Sequence, residues 1–352
     1  MNRYILLGVS LGLLVLVACN EEVISPQSGS ATCPGSGPAN LASSSPTVST
    51  QEPLDYQVGR NDYVVTVDGD PRQFIVYVPT SYDPAKATPL LFAFHGFGGS
   101  GNDFYESSDW KGKAEQASFI AVFPTALCYT VALGGQTDAG TGWSTQVLHH
   151  YVQPAGRVVK DDTIFIRTVF DVASNTWNLD PTRLYAVGFS NGAGFVDSEL
   201  MPKMSDIFAA FATAEGGVPG SQGLEGLPVP PRDPIEELPS RIAIFGTADQ
   251  SIVAGGYRGA TLPFEAEDVM ADELLRPGID VLLARLQLSP TYDAVYERPD
   301  VSKLIFNDSL IAGKNELVIL MVKDMGHVYP EKESGFSATD RFWAFFVAHP
   351  KS

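Results

Sequence analysis

The chain predicts an α/β fold: a mostly parallel sheet with helices on both faces and an antiparallel hairpin at its N-terminal side. Three observations lead there. Short, continuous apolar runs at residues 89–94, 119–123, 183–189, 207–212, 241–245 and 317–322 read as strands buried on both faces. Segments with helical periodicity separate several of them. Residues 63–67 and 73–78 alternate apolar and polar side chains around Asp68-Gly69-Asp70-Pro71, which is the pattern of a two-stranded hairpin.

The elements follow in order. A helical stretch over 102–118 succeeds the strand at 89–94. Asp161 or Asp162 caps a helix reaching to about Trp177, with Ile164, Phe165, Thr168, Val169 and Val172 at helical spacing. The strand at 183–189 runs into a helix starting near 191. The acidic stretch 265–273 reads as a solvated helix face, and an amphipathic helix over 337–348 closes the chain. Residues 125–160 form a long connection, and loops of that length in compact domains are often functional. No internal repeat is evident.

Composition narrows the class. The chain has 352 residues, 44% hydrophobic and 18% charged, which supports a sizeable core and excludes a disordered acidic protein. A formal charge of −18 argues against nucleic acid and anionic polymers as partners, and is compatible with neutral substrates. Three cysteines, at 19, 33 and 128, are too few for a disulfide-stapled scaffold and too scattered for a zinc cluster. In an oxidising compartment Cys33 and Cys128 could pair.

The N-terminus divides from the rest. Arg3 precedes an almost wholly apolar stretch, residues 4–18, too short to be a comfortable membrane span. It ends Leu16-Val17-Ala18-Cys19, which resembles a bacterial lipoprotein signal. That resemblance implies cleavage before Cys19, lipidation of its thiol and anchoring outside the cytoplasm, at the outer membrane, in the periplasm or on the cell surface. Residues 19–56, rich in Ser, Pro, Gly and Ala, read as a flexible tether, and residues 57–352 as the globular domain.

The chemistry collects at strand ends. Gly188-Phe189-Ser190-Asn191-Gly192 fits G-x-S-x-G directly after an apolar strand and before a helix. Small residues two positions either side allow a sharp turn that lifts the Ser190 hydroxyl above the sheet. A serine needs a base. Of the five histidines, His327 lies after the last strand and before the last helix, where it can reach over the sheet edge. His149 and His150 sit in the long connection, His349 near the C-terminus, and His95 beside a Gly-rich turn. An imidazole needs a carboxylate to orient it. Asp249 follows the strand at 241–245 and is favoured over Asp324 and Asp308 because open α/β sheets place their sites at strand C-termini. Two amides, Phe97 in His95-Gly96-Phe97-Gly98-Gly99 and Asn191 at the helix start, are the candidate oxyanion donors. Trp143, after Gly142, is a candidate platform for a sugar or aromatic acyl group, or else an anchor for its own loop. The His149-His150 pair lacks metal-ligand spacing.

These segments, with Gly246-Thr247-Ala248-Asp249, Gly326-His327 and Phe342-Trp343-Ala344-Phe345-Phe346, resemble the polyhydroxybutyrate depolymerase and feruloyl esterase group, the carbohydrate esterase family 1-like branch of the α/β-hydrolases. The resemblance runs over roughly residues 60–349 in order. It implies an α/β-hydrolase fold, a triad on Ser190, Asp249 and His327, ester hydrolysis, and no metal or organic cofactor. The chain departs from the family at Phe245, where histidine is usual, at Gln250-Ser251-Ile252-Val253, and at Val328-Tyr329-Pro330. Residues 219–239 look like a local insertion. The acyl group is left open among acetyl, hydroxycinnamoyl and hydroxyalkanoyl esters of small molecules, polysaccharide or polyester. A peptidase on the same fold and an inactive carbohydrate-binding lipoprotein are the rival readings.

Overall fold

The computed structural model describes residues 47–49, 52–133, 136–152, 158–216, 238–253, 261–273, 275–311, 313–331 and 335–351. The leader, Cys19, Cys33 and most of the 219–239 insertion lie outside the described residues. Cys128 is disulfide-bonded.

The strands are β1 (Thr47–Val48), β2 (Gly59–Val67), β3 (Asp70–Val78), β4 (Thr88–Phe94), β5 (Ile120–Pro124), β6 (Cys128–Leu133), β7 (Gln136–Thr141), β8 (Leu179–Phe189), β9 (Ala210–Ala214), β10 (Ser240–Gly246), β11 (Asp293–Arg298), β12 (Val301–Phe306) and β13 (Leu317–Val322). The helices are α1 (Gly101–Ser107), α2 (Trp110–Ala117), α3 (Gln146–Tyr151), α4 (Asp162–Thr176), α5 (Asn191–Phe195), α6 (Met201–Lys203), α7 (Gln250–Val253), α8 (Ala266–Ala271), α9 (Leu275–Leu286) and α10 (Ala338–Ala348). A π-helical turn, Val196–Leu200, joins α5 to α6.

An 11-stranded sheet runs β1-β2-β3-β5-β4-β8-β9-β10-β13-β12-β11. Its centre, from β5 to β13, is parallel. The β2–β3 hairpin joins antiparallel to β5 at one side, and β12 and β11 continue antiparallel from β13 at the other. With helices on both faces, this is the α/β-hydrolase fold. Alternation sorts each central strand between two cores. In β4, Leu90, Phe92 and Phe94 face the layer holding α4, α8 and α9, while Leu91 and Ala93 face α1, α2 and α10. Asp161 caps α4, its side chain accepting from the Thr163 amide at 2.9 Å.

Three expectations change. The helical stretch at 102–118 is two helices, α1 and α2, parted at Ser108-Asp109. The long connection at 125–160 carries its own small sheet, β6 paired antiparallel with β7, and then α3. The tether expected over residues 19–56 does not hold for its described residues 47–49 and 52–56, several of which pack on the domain. Thr47 and Val48 pair in parallel with β2, Leu54 is buried, and the Tyr56 ring packs 5.6 Å from that of Trp177. Among the described residues, no helix is long and apolar enough to cross a membrane.

β4 has β5 on one side and β8 on the other, so the connections leaving β4 and β8 diverge. A crevice opens at such a reversal, beyond the strands' C-terminal ends. The loop after β4 and the turn after β8 are His95–Gly99 and Ser190.

Candidate active site

Ser190 occupies a strained corner. It follows β8, caps α5 at φ 52° and ψ −117°, and is one of few non-glycine residues with positive φ. Such backbone costs about 1–3 kcal/mol and persists only where neighbours over-determine it. The neighbours here are specific. The Ser190 amide donates to Ala214 O at 3.0 Å, and its carbonyl accepts from Gly194 N at 3.0 Å. A Cβ on Gly192 would lie 2.5 Å from Phe94 O and 2.6 Å from His95 O, and one on Gly188 would strike the Gly192 carbonyl. Strand, turn and helix therefore pack more closely than any side chain permits.

The structure brings together three side chains that are distant in sequence. Ser190 Oγ lies 2.8 Å from His327 Nε2, and His327 Nδ1 lies 2.8 Å from Asp249 Oδ2. Asp249 follows β10 and is fully buried, and the His327 side chain is one-fifth exposed. Asp249 Oδ1 accepts from the amides of Ser251 at 2.7 Å and Ile252 at 3.3 Å. Gln250–Val253, where the sequence differs from the group it resembles, thus winds into α7 and still solvates the aspartate. Burial opposes ionisation of Asp249, but hydrogen bonds from His327 and Glu215 hold its carboxyl below the usual range. With Asp249 accepting at Nδ1, His327 presents Nε2 as a base to the serine. The Phe189 ring lies 5.2 Å from the His327 ring and supports its orientation. Neither Asp324 nor Asp308 holds the imidazole; the Asp324 amide instead donates to Thr247 Oγ1 at 2.9 Å.

Beside Ser190 lies the loop after β4. A Cβ on Gly96 would sit 3.3 Å from Ser190 Cβ. Gly98 N donates to Thr141 O at 2.8 Å and Gly99 N to Gly96 O at 3.2 Å. Among the described residues, the Phe97 and Asn191 amides donate to no protein acceptor, so both remain available at the turn.

Trp143 is not a substrate platform. It is fully buried, stacked on Phe195 and edge-on to Phe94, because its surroundings are the apolar layer beneath the loop. Its indole N–H donates to His95 O at 2.9 Å, and its amide donates to Asn191 Oδ1 at 2.7 Å. It ties the loop after β4 to the start of α5. His95 is a second brace: Nδ1–H donates to Gly96 O at 2.7 Å, and Nε2 accepts from Ala126 N at 3.1 Å. Below them, Arg72 and Asp162 form a buried ion pair at 2.6 Å, and Asp162 accepts from the Ser144 amide at 2.8 Å. His149 and His150 are exposed in the last turn of α3.

Sequence reasoning missed Glu215. It lies one residue past β9, buried, with φ 50°. The available signal was an acidic residue between a strand-like apolar run and Gly216-Gly217. Glu215, Asp249 and His327 bring ligand-type atoms within 4.8 Å of one another. A cation among them would have to part the imidazole–carboxylate contact, so the donor set fits a hydrogen-bonded chain better than a metal centre.

No family model matches the chain. It is 28% identical over 156 residues to a bifunctional acetylxylan esterase/xylanase of Neocallimastix patriciarum, covering 44% of this chain and 19% of that protein. It is 26% identical over 147 residues to feruloyl esterase B of Talaromyces funiculosus, covering 42% of this chain and 36% of that protein. The chain thus spans well under half the length of both relatives. The structure of acetyl xylan esterase from Aspergillus awamori aligns over 81% of this chain and 99% of that one, with a TM-score of 0.49 and 16% identity. The chain has the sheet of the α/β-hydrolase fold, and over part of its sequence it is similar to acetylxylan and feruloyl esterases.

Proposed function

We propose that the chain is a serine-dependent carboxylic ester hydrolase, with Ser190 as nucleophile, His327 as general base and acid, and Asp249 as the group that orients it. The observation that supports this best is the unbroken run Ser190 Oγ–His327 Nε2 and His327 Nδ1–Asp249 Oδ2, each 2.8 Å, on a strained turn at the sheet's reversal point. Ser190 Oγ attacks the ester carbonyl while its proton passes to His327 Nε2. The Phe97 and Asn191 amides stabilise the oxyanion. Collapse expels the alcohol, which takes the proton from the imidazolium and leaves an acyl-enzyme. Water, deprotonated by the same imidazole, attacks that acyl group and releases the acid and free Ser190.

Acetyl and hydroxycinnamoyl esters of polysaccharide are the substrate classes we assign, because the relatives' names are acetylxylan and feruloyl esterase. We also assign cleavage before Cys19 and lipid anchoring through its thiol, on the strength of the leader's sequence.

The test is hydrolysis of p-nitrophenyl acetate, methyl ferulate and acetylated xylan beside peptide anilides, with fluorophosphonate labelling. Ester turnover and labelling, both lost in Ser190→Ala, are expected. Anilide turnover in place of ester turnover would make the protein a peptidase. No labelling of the wild type would leave a binding protein and refute the hydrolase reading. Metabolic labelling with a palmitate analogue, lost in Cys19→Ser, tests the anchor.

A further inference from the structure

We propose that Glu215 is a positioning residue of this site: carrying a proton, it donates a hydrogen bond to the buried Asp249 carboxylate and fixes the oxygen that holds His327. This rests on the hydrolase reading above.

Glu215 reaches the site by a strained route. Its φ of 50° is costly for a residue with a Cβ, and its amide is tied to Ile244 O at 3.0 Å. One carboxyl oxygen, Oε1, accepts from the Gly246 amide at 2.8 Å, at the end of the strand that leads to Asp249. The other, Oε2, is buried and has no partner so long as the group is an ionised acceptor. The neighbouring acceptor is the Asp249 carboxylate, within the 4.8 Å cluster that also includes His327. Glu215 and Asp249 are respectively 2% and 0% exposed, and among the described residues neither forms an ion pair with Lys or Arg. Two adjacent carboxylates cannot both stay ionised there. Asp249 keeps the negative charge, since it has the imidazole and two amides as donors. Burial first, then the hydrogen bond with Asp249 and after it the Asp249 charge, raise the Glu215 carboxyl well above its ordinary range. A neutral Glu215 turns the orphaned oxygen into a hydroxyl donor, which satisfies both groups at once.

The role is thus not charge but a neutral donor, and that distinction is measurable. Glu215→Gln supplies an amide donor to Asp249 and keeps an acceptor for Gly246. Glu215→Met keeps the length and removes the donor. With p-nitrophenyl acetate, we expect Glu215→Gln to keep kcat within about threefold, with the acidic limb of the pH–rate profile unmoved. We expect Glu215→Met to keep KM, lose kcat by about tenfold or more, and displace that limb; the loss should stay short of the ~10⁴-fold attached to removing the aspartate itself. The ¹H resonance of His327 Nδ1–H should shift in Glu215→Met and not in Glu215→Gln. That readout needs no turnover, so it stands apart from the hydrolase reading, which Ser190→Ala and fluorophosphonate labelling test separately. If Glu215→Met fails to fold, Glu215→Gln alone decides. The proposal is overturned if Glu215→Gln loses activity as Glu215→Met does, if its acidic limb moves down as removal of a negative charge would require, or if Glu215→Met matches the wild type in rate, profile and resonance.

Discussion

Protonating His95 should weaken the fold by an amount the structure sets. The ring is 2% exposed, and burial lowers its pKa from 6.5 to about 4. Both nitrogens are committed, Nδ1–H to Gly96 O and Nε2 to the Ala126 amide, so a second proton would point at an N–H. The folded pKa lies below the unfolded one, so the unfolded chain takes the proton first. The stability contributed by the neutral ring is therefore complete above about pH 7 and is lost as pH falls through 6.5 towards 4. Linkage over that interval gives a loss of about 2.5 kcal/mol at pH 4.5, approaching ~3.4 kcal/mol at lower pH. Urea unfolding of wild type and His95→Gln between pH 8 and 4.5 measures it. Glutamine offers Ala126 an acceptor and Gly96 a donor but does not titrate. All other groups are common to the two proteins, so the divergence of their stability curves isolates this ring. Curves that stay parallel down to pH 4.5 would refute the reasoning.

Two further outcomes follow from the packing. Gly192→Ala forces a methyl against the Phe94 and His95 carbonyls, and should cost about 1–3 kcal/mol and most of the ester turnover we propose; a wild-type rate and melting point would show that the turn has slack. Arg72→Met strips the partner from the fully buried Asp162, and should cost about 3–5 kcal/mol, part of which Arg72→Met/Asp162→Asn recovers, as read by chemical denaturation.

The central strands were legible because burial on both faces leaves unbroken apolar runs, and Ser190, Asp249 and His327 because each closely follows such a run. The β6–β7 hairpin was not legible: Gln136–Thr141 is polar and glycine-containing, so it shows no apolar alternation. β11 is exposed nearly throughout and is specified by its pairing with β12 rather than by its own pattern. Trp143 read equally well as a platform or an anchor, because sequence reports an aromatic residue without its depth. Glu215 was invisible for a related reason. A single acidic residue after a strand is ordinary, and its meaning arises only when β9 and β10 lie side by side and bring it to Asp249.

Trp143 ties together both sides of the oxyanion cradle we propose: its indole reaches His95 in the loop that presents Phe97, and its amide reaches the side chain of Asn191. The separation of the two donors is thereby referenced to a common body rather than to two independent loops. Directed evolution that alters acyl preference should accordingly leave this tryptophan untouched while diversifying the peripheral segments around it.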